Sequence, residues 1–263
     1  MNLQVLLSIM NENNPKEHLK KMNVKNNYVI INQITEKNIE ETFENKNLKK
    51  IISVREKGLS KSRNLAIMNS EAEIGLISDD DMVYEDNYQE IILDAYKKHK
   101  DADLIVFVVE HEDKKREKPI LNEKKLNFIE TLKVSSVQLT MNLKKIKGKK
   151  ICFDENFGSG SKFFMGEENI FLSDCLKKGL KIYYVPQKIG TLRVVNDSKW
   201  FKGYNADFFK VKGAVFYRMN KFLYLPLILQ FALRKKKLYS KNMTTMQVIK
   251  SMGMGAKEYR RAK

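Results

Sequence analysis

Six short apolar runs, spaced along residues 1–200, constrain the fold of this chain more than any other feature. Each run is about as long as a buried strand, and the stretches between the runs are long enough to hold crossover helices. Such a succession predicts an α/β protein with a layered sheet. The runs are residues 3–9, 28–32, 51–54, 74–78, 104–110 and 180–185.

Two of the intervening stretches carry clear helix signals. One helix is expected after Asp86, whose carboxylate is placed to cap it, with Lys97 and Lys98 in its last turn. Another has apolar residues at helical spacing over 171–176 and is expected to end at Gly179. The sequence thus alternates strands and helices, as an α/β fold requires.

The positive charge of the chain is concentrated in its last part. Of the net +17, residues 202–263 carry +13, with 15 basic and two acidic residues, whereas residues 1–201 carry +4. A basic excess often marks a nucleic-acid partner, but 41 of the 49 basic residues are lysines, which lack the planar fork that reads bases. We therefore expect a catalytic domain over 1–201, a basic, aromatic and mainly helical extension over 202–263, and no nucleic-acid partner.

Within the extension, the apolar-rich residues 222–233 are followed directly by the basic run 234–237. Twelve residues are too few to span a bilayer, but they can lie in its interface, and basic residues are attracted to an anionic leaflet. The pattern indicates a segment that binds an anionic membrane surface. The alternative is a helix packed on the main domain, with the lysines as its solvated end.

The expected location follows from the cysteines and from the start of the chain. Cys152 and Cys175 are too few for a disulfide framework, and the first residues do not have the pattern of a signal peptide. We expect a cytoplasmic protein that is peripheral at the inner face of the cell membrane.

Three consecutive carboxylates, Asp79, Asp80 and Asp81, follow the apolar run 74–78. Carboxylates so close together repel one another strongly unless a cation lies among them. Carboxylate oxygens suit Mg²⁺ or Mn²⁺, which keep positions open for water and phosphate oxygens. We expect a divalent-metal site here; the alternative is an acidic turn that caps the following helix.

A glycine turn and a basic helix start precede this motif, at residues 57–67. Gly58 forms the turn, Ser60 is placed as the N-cap, and Lys61 and Arg63 fall in the first turn. Basic residues are unfavourable at that end of a helix unless an anion binds there, and free backbone N–H groups favour an anion. The segment indicates a pyrophosphate site; the alternative is a capped surface helix with Arg63 in a salt bridge.

A glycine-rich stretch, residues 157–166, leads to Glu167 and Glu168 at the start of the second predicted helix. A carboxylate held at a helix N-terminus can act as a general base, which contributes roughly 10²–10⁴-fold to a rate. The alternative is the ordinary preference of glutamate for the first helical turn.

Together, these three segments resemble the bacterial family-2 glycosyltransferases of the nucleotide-diphospho-sugar transferase fold. The resemblance covers about residues 3–200 and rests on the order and spacing of three motifs. The motifs are Gly58-Leu59-Ser60-x-Ser62-Arg63-Asn64, Asp79-Asp80-Asp81 and Gly166-Glu167-Glu168. The resemblance implies a single GT-A-like, Rossmann-type mixed sheet flanked by helices, followed by the helical basic extension.

The resemblance also implies roles at the donor end of the site. Asp79 would face the nucleotide ribose and bind the metal, Asp81 would ligate the metal that bridges the diphosphate, and Asp80 would support them. Arg63 would lie near the diphosphate, and the metal would be Mn²⁺ or Mg²⁺. The residues expected to hold the nucleotide base, at the ends of the first two strands, are Ser8, Asn11 and Gln33.

At the acceptor end, Glu168 would deprotonate the acceptor hydroxyl and Glu167 would orient the acceptor. Such transferases invert the anomeric centre in one displacement. The implied donor is a nucleotide-diphosphate sugar, and the implied acceptor is a saccharide, lipid-linked at the inner face of a bacterial membrane, in capsule, lipopolysaccharide or other surface polysaccharide synthesis. Family members often add a late histidine to the metal, but none follows Glu168 here. The metal would then rest on Asp81 alone or also use Asn196 or Asp197.

Two other functions fit parts of the same pattern. The segment from Asp79 to Val83 also resembles the first motif of haloacid-dehalogenase-like phosphohydrolases, in which the first aspartate is a nucleophile and the second, here Asp81, an acid/base. Those proteins carry the motif near their N-terminus and need a late Asp-Asp pair, which this sequence lacks. The other candidate is a non-catalytic basic adaptor for membranes or nucleic acid, in which the acidic cluster is only structural.

Overall fold

The computed structural model describes residues 1–25, 27–113, 122–193 and 203–262. In this part of the chain, the strands form one sheet and the α-helices lie around it. The strands are β1 (Leu3–Met10), β2 (Tyr28–Gln33), β3 (Phe43–Lys46), β4 (Lys49–Val54), β5 (Ile74–Asp79), β6 (Met82–Tyr84), β7 (Leu104–His111), β8 (Lys124–Lys125), β9 (Leu139–Asn142) and β10 (Ile182–Leu192). The helices are α1 (Pro15–Lys21), α2 (Leu59–Asn69), α3 (Tyr88–Lys98), α4 (Phe128–Thr131), α5 (Leu143–Gly148), α6 (Glu167–Lys177), α7 (Ala206–Met219), α8 (Tyr224–Arg234), α9 (Lys236–Tyr239) and α10 (Thr245–Arg261).

The sheet is mixed, and its strands follow the order β3-β4-β2-β1-β5-β9-β7-β10-β6, with β8 paired to β10. The neighbours β4, β2, β1 and β5 are parallel, and β7 is parallel to β10. Strand β9 lies between β5 and β7 and is antiparallel to both. All six apolar runs form strands, namely β1, β2, β4, β5, β7 and β10, so the predicted mixed α/β sheet is confirmed.

Both faces of the sheet are buried under helices and loops. Alternate residues of β1 point to opposite faces, so that Val5 and Leu7 pack in one core and Leu6 packs in the other. This double burial explains why the central strands are continuous apolar runs rather than alternating ones. Strands β2 and β5 pair with opposite edges of β1, so the strand order reverses direction at β1. In open α/β sheets, ligands bind in the crevice at the carboxyl ends of the strands where this reversal occurs.

The two predicted helices are present as α3 and α6, but one predicted cap is wrong. Asn87, not Asp86, occupies the N-cap position of α3. The Asp86 carboxylate instead accepts hydrogen bonds from Lys25 and Asn23, which compete for its oxygens. Gly179 follows α6 in the left-handed region, with φ of 76°, as the predicted C-terminal glycine.

The helices beyond residue 203 pack on the main body. Helices α7 and α10 approach so closely that a Cβ on Gly213 or on Gly255 would overlap the backbone of the other helix. Arg218 of α7 pairs with Asp154 at 2.6 Å and with Asp174 at 2.7 Å, which joins α7 to the main body. The packed-helix alternative concerned residues 222–233, most of which form α8, and it is correct for the inner side of that helix, where Leu227, Ile228 and Ala232 are buried. The division at 201/202 and the binding of a membrane stay predictions. Within the described ranges, no helix is long and apolar enough to cross a membrane.

Candidate functional site

The carboxyl ends of the central parallel strands meet at one edge of the sheet, and the predicted donor residues lie there. Ser8 of β1 is in register with Asp79 of β5. Its Oγ accepts a hydrogen bond of 2.8 Å from the hydroxyl of Ser62 in α2. The end of β1, the end of β5 and the start of α2 are therefore adjacent, as the donor site implied by the family resemblance requires.

The other two residues predicted to hold the base form bonds within the protein. Asn11 adopts a left-handed φ of 56°, and its side-chain oxygen accepts the N–H of Thr35 at 2.7 Å. Gln33 is buried and donates its side-chain N–H to the carbonyl of Gly58 at 3.2 Å. Both side chains hold loops at the sheet edge, and their contact with a nucleotide base stays a prediction.

The three acids lie where β5 ends and the chain turns into β6. Asp79 is the last residue of β5, Asp80 is exposed, and Asp81 is partly buried. Burial, reinforced by the charges of Asp79 and Asp80, raises the pKa of Asp81 to about 6. Partial desolvation and the charge of Asp79 also raise the pKa of Asp80. The turn thus holds more negative charge than its surroundings neutralise.

Asp81 provides the best fit to a metal ion. Its Oδ1 is buried and has no hydrogen-bond partner within the described part of the chain. Leaving such an acceptor unsatisfied costs about 1–3 kcal/mol, which a bound cation would offset. No group of three metal-binding side chains occurs among the described residues, so a metal would take one or two carboxylates and rely on ligand oxygens, as Mg²⁺ commonly does. Asn196 and Asp197, the other predicted ligands, lie outside the described residues.

Arg63 joins the acidic motif to the glutamate pair. Its guanidinium is 1% exposed and donates to Asp79 Oδ1 at 2.9 Å and to Glu167 Oε1 at 2.7 Å. It also donates to Ser136 Oγ at 2.9 Å and lies 5.6 Å from the centre of the Phe153 ring. Burial disfavours its charge, but the two carboxylates outweigh this effect and raise the pKa of Arg63. Arg63 thus forms salt bridges that are buried rather than at the surface, and its contact with a diphosphate stays a prediction.

Helix α2 begins differently from the prediction. Its N-cap is Gly58, with φ of 132°, and not Ser60. Ser60 lies inside the helix and donates its hydroxyl to the carbonyl of Phe157 at 2.6 Å. The backbone N–H of Leu59 is bonded to the carbonyl of Ser159 at 2.9 Å. The start of α2 is therefore tied to the glycine-rich stretch before α6, and at least one of its amides is already used by the protein.

The glutamate pair lies at the start of α6. Gly166, with φ of 89°, directly precedes the helix, and a side chain there would overlap Val215 of α7. Glu167 is buried and paired with Arg63, whereas Glu168 is only partly buried. Burial and the charge of Glu167 raise the pKa of Glu168 to about 8. Once deprotonated, a carboxylate with so high a pKa is a stronger base than an ordinary one.

A cation beside the glutamate pair was not predicted from the sequence. Lys212 of α7 is close enough to Glu168 for their charges to interact. Its Nζ lies 5.5 Å from the ring centre of Phe216 and 6.0 Å from that of Phe231. Burial lowers the pKa of Lys212, and the charge of Glu168 opposes this change. The sequence held a signal, because Lys212 lies four residues after Phe208 and four before Phe216, on an apolar helix face.

The three motifs therefore form one site, although they are far apart in the sequence. One end is the acidic turn at Asp81, which suits a divalent cation and the phosphate oxygens that accompany it. The other end is Glu168, a carboxylate with a raised pKa that can accept a proton. Arg63 lies between the two ends and fixes their relative position through Asp79 and Glu167.

Comparisons with known proteins point to one family. Residues 30–166, just over half of the chain, match the family described as Glycosyl transferase family 2. The matched segment contains Gly58, Arg63 and the acidic turn, and it ends immediately before Glu167. No curated protein matches the sequence at a significant level.

Solved structures with the same fold include S. aureus TarS. The structure of TarS residues 1–349 has a TM-score of 0.60 and 13% identity, over 92% of this chain and 74% of that chain. The same fragment in complex with UDP-GlcNAc has a TM-score of 0.58 and 12% identity, over 100% of this chain and 93% of that chain. At these identities the likeness concerns the fold, and it supports the predicted GT-A-like architecture.

Proposed function

The chain belongs to glycosyl transferase family 2, and we propose that it transfers a sugar from a nucleotide-diphosphate donor to a saccharide hydroxyl, with inversion at the anomeric carbon. The observation that carries this proposal is the double bridge made by Arg63. By bonding both Asp79 and Glu167, it holds the donor motif and the acceptor motif at one site. The family also decides against the phosphohydrolase and the non-catalytic adaptor.

At the donor end, we assign the nucleotide diphosphate to the acidic turn. Asp81, with its unsatisfied buried oxygen, would hold Mn²⁺ or Mg²⁺ together with Asp79, and Asp80 would support them. When bound, the metal would neutralise charge on the diphosphate as it leaves. Ser8, Asn11 and Gln33 are the residues that we propose bind the nucleotide base. TarS has been crystallised with UDP-GlcNAc, so a uridine diphosphate sugar is the first donor to test.

At the acceptor end, we assign the general base to Glu168. Its carboxylate would take the proton of the acceptor hydroxyl as the oxygen forms a bond to the anomeric carbon. The bond between that carbon and the diphosphate oxygen breaks in the same displacement, on the opposite face of the sugar ring. Glu167, held by Arg63, is buried and would orient the acceptor rather than accept a proton.

The acceptor we propose is a lipid-linked saccharide at the inner face of a bacterial membrane, within capsule, lipopolysaccharide or other surface polysaccharide synthesis. This proposal includes a peripheral location of the protein at that membrane. Its support is the charge distribution, because the net +13 of residues 202–263 favours an anionic surface. A saccharide linked to a lipid would be presented at such a surface.

The test compares Glu168→Gln with the unchanged protein. We expect Glu168→Gln to keep the shift in melting temperature caused by a uridine diphosphate sugar with Mn²⁺, because the donor end is unaltered. We also expect it to lower the rate of sugar transfer by roughly 10²–10⁴-fold, because the proton acceptor is removed. Transfer at the unaltered rate would contradict the base assignment. Covalent phosphate on Asp79 would contradict the transferase mechanism itself.

A further inference from the structure

Helix α8 has an apolar outer surface that faces solvent. Leu225, Leu229 and Leu233 are 54%, 49% and 67% exposed, and Phe222, just before the helix, is 81% exposed. The three leucines are spaced by four, so they form a single stripe along one side of the helix, and Phe222 adds exposed apolar surface just before it. Contiguous exposed apolar surface of this kind marks an interaction site.

The opposite side of α8 is apolar as well, and it is already covered. Leu227, Ile228 and Ala232 are buried in the core shared with α7 and α10. Between Tyr224 and Leu233, Gln230 is the sole polar side chain apart from the tyrosine hydroxyl. Packing in the core accounts for the apolar residues on the inner side of α8 only. The apolar residues of the outer stripe would be removed from water only by a second apolar surface outside the core.

Basic residues border this stripe at both ends. Lys221 precedes it, and Arg234 and the lysines of α9 follow it, all exposed. Between Asp207 and Glu258 the sequence contains no acidic residue. The charged residues that flank the stripe along the chain are therefore all basic, which is complementary to an anionic surface.

We propose that the outer stripe of α8 and its basic border, from Phe222 to Lys237, dock into the interface of an anionic phospholipid bilayer. The α8 axis would lie in the membrane plane, because eleven residues span only about 16 Å of the ~30 Å hydrocarbon thickness. A second copy of the chain is a poorer occupant, since a two-fold contact would bring two positive borders together. A nucleic acid is also a poorer occupant, because the centre of the surface is apolar.

This placement would bring the candidate site close to the membrane. The significance of that closeness for an acceptor rests on the proposed function. Phe231 of α8 lies beside Lys212 of α7, and Lys212 in turn interacts with Glu168. The proposed base is thus separated from the membrane face by the thickness of α8 and of one side chain. An α-helix is about 10 Å across, so the candidate site would lie near the headgroups, and the saccharide of a lipid-linked acceptor would extend from the membrane surface to Glu168.

The experiment is sedimentation of the full 263-residue chain with vesicles, one set of pure phosphatidylcholine and one that also contains phosphatidylglycerol. Two variants alter the face and two matched controls make the same kind of change elsewhere. The variants are Leu225→Gln/Leu233→Gln and Lys235→Gln/Lys236→Gln/Lys237→Gln. The controls are Met68→Gln/Ile129→Gln, at apolar side chains that are 74% and 54% exposed on α2 and α4, and Lys144→Gln/Lys145→Gln/Lys149→Gln, at exposed lysines in and after α5.

We expect the unchanged protein to bind the phosphatidylglycerol vesicles more tightly than the neutral ones. The leucine variant should lower the partition constant by at least about tenfold, from the loss of apolar burial. The triple lysine variant should lower it by about 100-fold at low salt, because each basic residue near the surface contributes separately. Both controls should bind like the unchanged protein, and circular dichroism should show all variants folded.

Equal binding to both kinds of vesicle, or equal binding by the leucine variant, would overturn the proposal. A dimer that dissociates in the leucine variant, in the absence of vesicle binding, would assign the face to a second copy instead. Donor binding, measured without vesicles, tests the proposed function separately. If no nucleotide sugar binds while the vesicle results hold, the proposed function fails and the membrane face stands.

Discussion

Replacing Arg63 with methionine tests whether one guanidinium holds the three motifs together. The change leaves Glu167, whose side chain is 8% exposed, as a buried charge without its cation. Asp79 is 33% exposed and can regain water, so Glu167 accounts for most of the penalty. Breaking a buried ion pair by removing one partner costs about 3–5 kcal/mol, and we expect Arg63→Met to lower the free energy of unfolding by that amount.

The measurement is urea unfolding followed by circular dichroism. Arg55→Met is the control, because Arg55 is 50% exposed, pairs with Glu41 at 2.9 Å on the surface, and donates to the carbonyls of Glu36 and Ile39. Its loss should lower the free energy of unfolding by about 1–2 kcal/mol, less than the loss of the buried Arg63. The double variant Arg63→Met/Glu167→Gln removes the uncompensated charge as well, so it should be more stable than Arg63→Met alone.

Two results would refute this reasoning. If Arg63→Met is as stable as the Arg55→Met control, the buried bridge contributes nothing that the surface pair does not. If Glu167→Gln gives no recovery in the Arg63→Met background, the penalty does not arise from an unpaired glutamate. The motifs would then be held by backbone packing, and the coupling of donor and acceptor ends through Arg63 would be wrong.

Three further changes have defined outcomes. Asp81→Asn should abolish the Mn²⁺-dependent part of the melting-temperature shift caused by a uridine diphosphate sugar, and a retained metal effect would contradict the assignment of Asp81. Gly255→Ala should lower the free energy of unfolding by about 1–3 kcal/mol, because the new methyl would overlap the backbone of Lys210, while Gly253→Ala, which meets open space, should not lower it. Because burial raises the pKa of Glu168 and Lys212 lowers it, transfer should increase with pH as the carboxylate forms, and Lys212→Met should move that increase to higher pH. An unchanged pH profile of kcat/KM would show that Lys212 has no electrostatic role.

The strands of the central sheet could be predicted because their signal is local. Each run is continuously apolar, and burial on both faces makes it so. The short strands β3, β6, β8 and β9 were missed, because two to four residues carry no periodicity that could distinguish them from a loop. Strand β9 also depends on a partner on each side, which a sequence does not reveal.

The sequence predicted which motifs form the site, but not which other groups their side chains bond to. The family resemblance carried by Gly58, the acidic turn and Glu167 implied that these motifs belong to one site. The role of Ser136 as third partner of Arg63 could not be inferred. The residues from Ser135 to Gln138 have the capping-box pattern of a helix start and form a 3-10 turn over Ser136–Gln138, but nothing local shows that Ser136 contacts a side chain 73 residues away. The cap assigned to Ser60 was wrong for a related reason, because its hydroxyl reaches the carbonyl of Phe157, far along the chain.

Removing residues 222–263 would be the direct way to separate membrane binding from catalysis, but the packing shows why it would fail. The segment contains α10, whose backbone at Gly255 touches α7, and whose Tyr259 hydroxyl donates to Asp154 of the main body at 3.0 Å. Helix α7 carries Lys212 beside Glu168, so its loss of support would disturb the proposed base. Truncation would therefore alter both properties together. Substitutions on the outer side of α8 leave α7 and α10 in contact. A change in the rate of transfer caused by such a substitution can therefore be attributed to the loss of membrane binding, which a truncation does not allow.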